Sequence, residues 1–394
     1  MNRPCILIMT DYYLPGFKAG GPIRTLSSIV EHLGDEFSFI VLTRDRDLGA
    51  KKPYPEMGRG HLCFGKAEVF YMAPGDLTFS GIGLKIRESA PDLIYLNSFF
   101  SPQFTIIPMV LNKLGFIPQI PTIIAPRGEF ALSALKLKSF KKRCYVFFAK
   151  LLGFVDLVVW QASGEHEASD IRREFPNAQI VVAPDLPPLI PKARLPKKHT
   201  KVQGRLNLVF LSRISPMKNL HTALEILSKL NKGEIVFDIW GPIEDQSYWR
   251  KCTKLFESLP ENITATYRGE VFPERVHEVF SGYDVFFLPT LGENFGHVIL
   301  ESLGAGLPVL ISDRTQWRNL AERCAGWDVA LDDIIGFSNV LKSCIDMDAR
   351  ELDLWADGAI KYATVFCDTD VLRDKTASLF LKCLSRGYQT QCRV

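Results

Sequence analysis

The 394-residue chain has no stretch of the ~20 uninterrupted apolar residues that a membrane-spanning helix requires. Its most apolar segments, residues 99–126 and 145–162, are broken by Lys113 and several prolines in the first and by Lys150 and Asp156 in the second. Met1-Asn2-Arg3-Pro4-Cys5 leads into no long apolar region before a small-residue cleavage site, so no signal peptide is expected. The nine cysteines are scattered, odd in number and nowhere spaced Cys-x-x-Cys, which argues for a reducing compartment and against a metal knuckle. The seven histidines show no ligand-like clustering. Neither His-Glu-x-x-His nor Gly-x-Ser-x-Gly occurs, so metalloprotease and hydrolase readings have no support. Charge is balanced as well: 47 Lys and Arg against 44 Asp and Glu give +3, too little excess for a chain whose main partner is nucleic acid. The balance hides a division, because residues 1–200 carry 25 basic and 18 acidic side chains while residues 201–394 carry 22 and 26. A +7 half and a −4 half are expected to face different things.

What is present is an alternation of short apolar runs with amphipathic helical stretches, the pattern of buried parallel strands and crossover helices. Strands are expected at residues 5–10, 37–43, 68–73, 93–97, 122–126, 157–161 and 179–183, then at 206–214, 235–241, 263–269, 285–289 and 308–312. Between the two sets, Pro184–Gly204 mixes prolines with Lys192, Arg194, Lys197, Lys198 and Lys201, a linker composition. The expected organisation is therefore an amino-terminal Rossmann-like domain over 1–184, a linker over 185–204, a second Rossmann-like domain over 205–365, and a carboxyl-terminal helix over 366–394 that packs back on the first. Two tandem doubly wound α/β domains would face each other across a cleft, with ligands at the carboxyl ends of the strands.

Three loops carry the chemistry. After the first strand, Gly20-Gly21-Pro22 opens a helix, and a glycine loop at a helix amino terminus suits an anion. It matches neither Gly-x-Gly-x-x-Gly nor a Walker loop, which disfavours a dinucleotide or P-loop site. In Arg213-Ile214-Ser215-Pro216-Met217-Lys218, Ser215 is a good N-cap and Pro216 a good first residue, so two cations would flank a helix amino terminus as a diphosphate clamp. The plainer alternative is two solvated charges beside a cap. In the third loop a strand ends at Pro289, Glu293 follows, and a helix starting near Gly296 carries Glu301, roughly 7 Å along its axis. Two carboxylates so placed accept hydrogen bonds from separate hydroxyls of an extended ligand, and the free N–H groups around Phe295 and Gly296 donate to others.

Arg213-x-x-x-x-Lys218, Glu293-x-x-x-x-x-x-x-Glu301 enclosing Phe295-Gly296, and Gly304-x-Gly306-x-Pro308 together resemble the retaining glycosyltransferase family 4, enzymes of the two-domain GT-B fold. Gly241-Pro242 after a strand and Gly20-Gly21-Pro22 extend the resemblance over nearly the whole chain, and Asn294-Phe295-Gly296-His297 with Trp327 is similar to bacterial enzymes that build surface polysaccharides such as exopolysaccharide or O-antigen. The resemblance implies transfer of a hexose-type sugar from a nucleotide-sugar co-substrate, UDP first and GDP second, with retention and with no cofactor or metal. It assigns Arg213 and Lys218 to the donor diphosphate and Glu301 to the ribose. Glu293 and the backbone of Asn294, Phe295 and Gly296 fall to the transferred sugar, with Gly241, Gly20 and Gly21 close to the donor. Many members have His-Gly where this chain has Arg127-Gly128, so Arg127 would either take that histidine's role toward the sugar or anchor an acceptor phosphate. Asp45-Arg46-Asp47 spells the metal-binding Asp-x-Asp of other glycosyltransferases but is read as a loop.

Residues 133–148 place Lys136, Lys138, Lys141, Lys142 and Arg143 among apolar residues at helical spacing. Such a helix either packs in the core with a solvated face or meets an anionic membrane surface, and the latter would give Lys138, Lys141, Lys142 and Arg143 a lipid contact. A lipid-linked saccharide would then be the acceptor, and the protein would work in the cytoplasm on the inner face of the cytoplasmic membrane. Two rival readings keep the architecture: a nucleotide-sugar 2-epimerase, and a non-catalytic nucleotide- or sugar-binding scaffold.

Overall fold

The computed structural model describes residues 3–55, 61–131, 135, 139–154, 158–188, 201–366 and 369–391. The chain divides into two compact units, residues 1–189 with 369–394, and residues 190–368. Most of the linker expected over 185–204, together with Lys136 and Lys138, lies outside the described residues.

The first unit runs β1 (Cys5–Met9), α1 (Gly21–Leu33), β2 (Ser38–Arg44), β3 (His61–Phe64), β4 (Ala67–Met72), α2 (Phe79–Ser89), β5 (Leu93–Leu96), α3 (Ile107–Lys113), β6 (Thr122–Ile124), α4 (Ser139–Leu151), β7 (Val158–Ala162), α5 (Glu165–Glu174) and β8 (Gln179–Val182). Among the described residues its sheet has eight strands in the order β3-β4-β2-β1-β5-β6-β7-β8. All pairs are parallel except β3 with β4. Successive side chains of a strand point to opposite faces. Ile6 and Ile8 accordingly join Leu26, Ile29 and Leu33 of α1 in one core, while Leu7 and Met9 join Ile82, Phe104 and Trp160 in the other. Both faces are covered, which is why the strands read as unbroken apolar runs.

The second unit runs β9 (Arg205–Leu211), α6 (Leu220–Leu227), β10 (Glu234–Trp240), α7 (Gln246–Phe256), β11 (Ile263–Gly269), α8 (Val276–Phe280), β12 (Val285–Leu288), α9 (His297–Gly304), β13 (Val309–Ser312), β14 (Gly326–Val329), α10 (Ile334–Asp346) and α11 (Ala349–Phe366). Its parallel sheet has the order β11-β10-β9-β12-β13-β14 among the described residues. The chain then returns to the first unit as α12 (Thr369–Gln391). Phe380 of α12 sets its ring against Phe37, Phe39 and Tyr95, with centroids 5.5, 6.4 and 5.8 Å away, and Arg373 pairs with Glu36. Burying one such phenylalanine stabilises the unit by roughly 1.5–3 kcal/mol.

The fold class expected from the alternation, two Rossmann-like α/β units, is the one observed. Two strands escape the periodicity. The short β3 and β14 lie at sheet edges, where one side stays unpaired and little apolar content is needed. Strand order reverses at β1/β5 in one sheet and at β9/β12 in the other, so the loops leaving β1 and β9 stand at the switch points where ligands of open α/β sheets bind. No helix among the described residues is long and apolar enough to cross a membrane.

Candidate functional site

Four loops gather at the carboxyl end of the second sheet because β10, β9, β12 and β13 are parallel neighbours. The expected strand over 206–214 stops at Leu211, since the segment after it turns toward the neighbouring loop. Ser212 N–H donates to the Trp240 carbonyl (3.1 Å) and Ile214 N–H to the Pro242 carbonyl (2.8 Å). Gly241 sits where this loop passes. Its φ is +133°, and a Cβ there would lie 1.9 Å from the Ser212 carbonyl oxygen, so only glycine fits. The need for glycine at this position thus arises from backbone crowding within the unit. Arg213 ends up a third exposed, with one guanidinium nitrogen 2.9 Å from Glu244 Oε2.

The helix expected to start at Ser215-Pro216 begins later. Pro216–Lys218 form a single 3-10 turn, Asn219 takes left-handed backbone (φ 61°, ψ 37°), and α6 starts at Leu220. The cause is tertiary: the buried Asn219 donates from Nδ2 to the Pro289 carbonyl (2.8 Å), pinning the turn to the β12 loop. Leu291 N–H and Thr290 Oγ1 both donate to the Met217 carbonyl, at 2.9 and 3.0 Å. This stitching brings Lys218 Nζ onto Glu293 Oε1, an ion pair whose side chains are both about nine-tenths buried. The cation expected at the phosphate and the carboxylate expected at the sugar are therefore direct partners.

Glu293 N–H donates to the Arg314 carbonyl (3.1 Å), which closes the loop on that of β13. Gly296 caps α9 with φ +79°, left-handed backbone that suits glycine. Phe295 beneath it is anchored through its carbonyl, which accepts from Trp317 Nε1 at 2.7 Å, and through its ring, 5.8 Å from that of Trp317. Trp317 is a supporting residue that motif reading missed; its contact depends on the fold and leaves no local signal. Asn294 is half-buried in the loop, and Glu301 lies half-buried on α9 just past its first turn.

Residues 191–322 match the family described as glycosyl transferases group 1. The matched domain falls within the second unit. Arg213, Lys218, Gly241, Glu293, Asn294, Phe295, Gly296 and Glu301 all lie in this domain, whereas Gly20, Gly21 and Arg127 lie outside the matched residues. Over 103 residues the chain is 30% identical to the sulfoquinovosyl transferase SQD2 of Arabidopsis thaliana, covering 26% of this chain and 18% of that protein. The chain spans only 18–28% of the length of the curated relatives it matches. Over the whole fold it resembles sucrose-phosphate synthase from Thermosynechococcus elongatus (TM-score 0.71, 14% identity, 98% of this chain and 100% of that one). It also resembles Anabaena HepE solved with UDP and glucose (TM-score 0.67, 15% identity, 96% and 100%). These likenesses extend over both units and show the GT-B fold.

In the first unit the glycine loop after β1 is held from outside. Asp47 Oδ2 accepts from Phe17 N–H (3.0 Å) and Lys18 N–H (3.2 Å), and its Oδ1 from Leu48 N–H. Asp45 is paired with Arg46 at 2.7 Å. The Asp-x-Asp sequence thus holds loop backbone. Gly20 (φ +71°) is the N-cap of α1, which starts at Gly21, one residue before the expected Pro22.

Arg127 is held inside the first unit. Its side chain is 8% exposed; Nε donates to Asn97 Oδ1 (2.8 Å), one terminal nitrogen donates to the Tyr95 hydroxyl, and the other pairs with Asp185. Asp185 also accepts from Thr25 of α1 (3.3 Å). All three guanidinium nitrogens have partners inside the unit. Next to it, buried Glu167 accepts from Gly128 N–H and from the N–H and hydroxyl of Ser163, both 2.7 Å. Burial pushes the Glu167 carboxyl above its ordinary value, against the opposing effect of those donors.

Of the cations expected to meet a membrane, Lys141 and Arg143 are exposed. Lys142 instead turns inward, its Nζ 5.0 Å from the centre of the Phe100 ring, because helical spacing puts it on the packed side of α4. Lys138 lies outside the described residues.

Proposed function

We propose that the chain transfers a sugar from a nucleotide-sugar donor, UDP first and GDP second, to a lipid-linked saccharide acceptor with retention of anomeric configuration. The observation that carries this reading is the Lys218–Glu293 pair at the β9/β12 switch point, with Arg213 on the same loop as Lys218. A donor diphosphate would draw Lys218 from Glu293 and leave the carboxylate to accept from sugar hydroxyls, so one ligand satisfies both partners. Glu301 would take the ribose hydroxyls. Arg213 and Lys218 then stabilise the charge that grows on the leaving diphosphate, which is usually the largest single contribution in such sites. In this reading the leaving group itself helps to deprotonate the acceptor, so neither a dedicated general base nor a metal ion is required. The match to group 1 glycosyl transferases and the likeness to a structure holding UDP and glucose support the donor class. An acceptor of a bacterial surface polysaccharide, and work in the cytoplasm against an anionic inner membrane face, complete the proposal.

Incubation with UDP-, GDP- and dTDP-sugars, with and without membrane extract and chelator, tests it. Acceptor-dependent nucleotide release that survives chelator, with the configuration kept in the product, is the expected result. An epimerised donor would point instead to the 2-epimerase, and binding without turnover to the scaffold. A Glu301→Ala variant with full turnover would overturn the donor assignment.

A further inference from the structure

Helix α4 is apolar on two sides. Its inward side is packed: Val146 and Ala149 are buried, and the Tyr145 ring sits 4.8 Å from that of Phe99. At 100° per residue, Phe140, Phe147 and Leu151 fall on the opposite side, with Phe148 and Leu152 one step round. Among the described residues this side is open: Phe140 is 80% exposed, Leu151 67% and Phe147 60%, and Phe148 and Leu152 are exposed too. Exposed Lys141 stands on one flank of the stripe and exposed Arg143 on the other, while Lys150, on the Arg143 side, is drawn to Glu174 (3.9 Å) and the Phe175 ring (5.3 Å). The sequence holds no acidic residue between Glu129 and Asp156.

We infer that this outward stripe is a membrane-docking element whose aromatic and aliphatic side chains enter the boundary between headgroups and acyl chains of an anionic bilayer, while Lys141 and Arg143 meet the lipid phosphates. Contiguous exposed apolar side chains are what a soluble surface avoids, and a helix lying in the interface plane has this arrangement of apolar face and cationic flanks. A second copy of the chain is a poor occupant. A two-fold contact through this face would set cations against cations with no carboxylate of the segment to answer them. The inference deepens the lipid-linked acceptor reading and rests on it for its purpose, because docking would hold the first unit where such an acceptor resides.

The apolar contribution separates this from attraction by the cations alone. Full-length chain is co-sedimented with phosphatidylglycerol–phosphatidylcholine vesicles at about 0.1 M and about 1 M salt, where the screening length falls from ~10 Å to ~3 Å. The wild type is expected to stay bound at both. Phe140→Ser/Phe147→Ser/Leu151→Ser is expected to lose at least about tenfold in partitioning at both. Lys141→Gln/Arg143→Gln is expected to lose binding at low salt but keep the salt-resistant part. Thermal unfolding and UDP-glucose titration of the same variants should match the wild type, since every substituted side chain is on the surface. Partitioning of the triple variant equal to wild type, disappearance of all binding at high salt, or a wild-type dimer that the triple variant turns into monomer would overturn the inference. Vesicle binding that persists in a protein showing no nucleotide-sugar affinity would overturn the transfer reading and leave the docking element standing.

Discussion

Arg127 and Arg213 both follow a strand of a parallel sheet, and both read as ligand contacts in the sequence. In the fold they diverge. Arg213 is 33% exposed and pairs with a glutamate that is itself exposed, whereas Arg127 is 8% exposed and pairs with an aspartate that is 2% exposed. An exposed pair contributes about 0–1 kcal/mol and exchanges readily for a ligand phosphate. A buried, fully hydrogen-bonded pair resists exchange, because withdrawing one partner leaves the other charged without water. The first unit uses its arginine to tie β5, β6, α1 and the start of the expected linker together; the second keeps Arg213 at the loop surface.

Several substitutions would break or sharpen that contrast. Arg127→Ala should lower stability by ~3–5 kcal/mol, because Asp185 is left buried and uncompensated, as urea denaturation would read. A variant of unchanged stability that lost only turnover would reverse the assignment and make Arg127 a ligand contact. Arg213→Ala should show the opposite pattern, with stability changed by less than ~0.5 kcal/mol. Its turnover should drop ~10²–10³-fold, as expected for removal of charge stabilisation at the leaving group. Gly241→Ala lies between the two. The clash with the Ser212 carbonyl should cost roughly 1–3 kcal/mol in thermal unfolding and displace the Arg213 loop, lowering donor affinity.

The smallest effect concerns pH. Glu167 has a carboxyl pKa above its ordinary 4.5 in the folded chain, so the folded state holds more protons than the unfolded one as pH rises past that value. Its contribution to stability is therefore greatest at low pH and declines as pH climbs through the raised value. Glu167→Gln, which gives up about 1 kcal/mol of hydrogen bonding, should flatten that decline in denaturation series run upward from pH 4.5. An unchanged slope would remove Glu167 from the buried network next to Arg127.

The strand alternation was legible because strands covered on both faces must be apolar throughout, as in Leu93–Leu96 and Val285–Leu288, all buried. Arg213, Lys218, Glu293 and Glu301 stand out in the sequence by their place after strands, whereas Gly241 and Asp47 show that residues of the same kinds at strand ends also serve backbone packing. The helix start at Ser215 was misread because capping residues describe a local preference. Asn219, tied to a carbonyl 70 residues later, imposed another backbone. Trp317, Asp185 and Glu167 carried no local mark, since burial and partnership are properties of packing.

By itself the sequence determined the two α/β units and which side chains stand on the loops of the group 1 domain. Only the tertiary structure decided which charges are available. Lys218 and Glu293 meet across 75 residues through the adjacency of β9 and β12, Arg127 and Asp185 meet across 58, and the outer stripe of α4 is left exposed. Periodicity reports how a segment divides between apolar and polar sides. It does not report what the rest of the chain brings to either side, and that is what leaves Arg213 exposed and Arg127 buried.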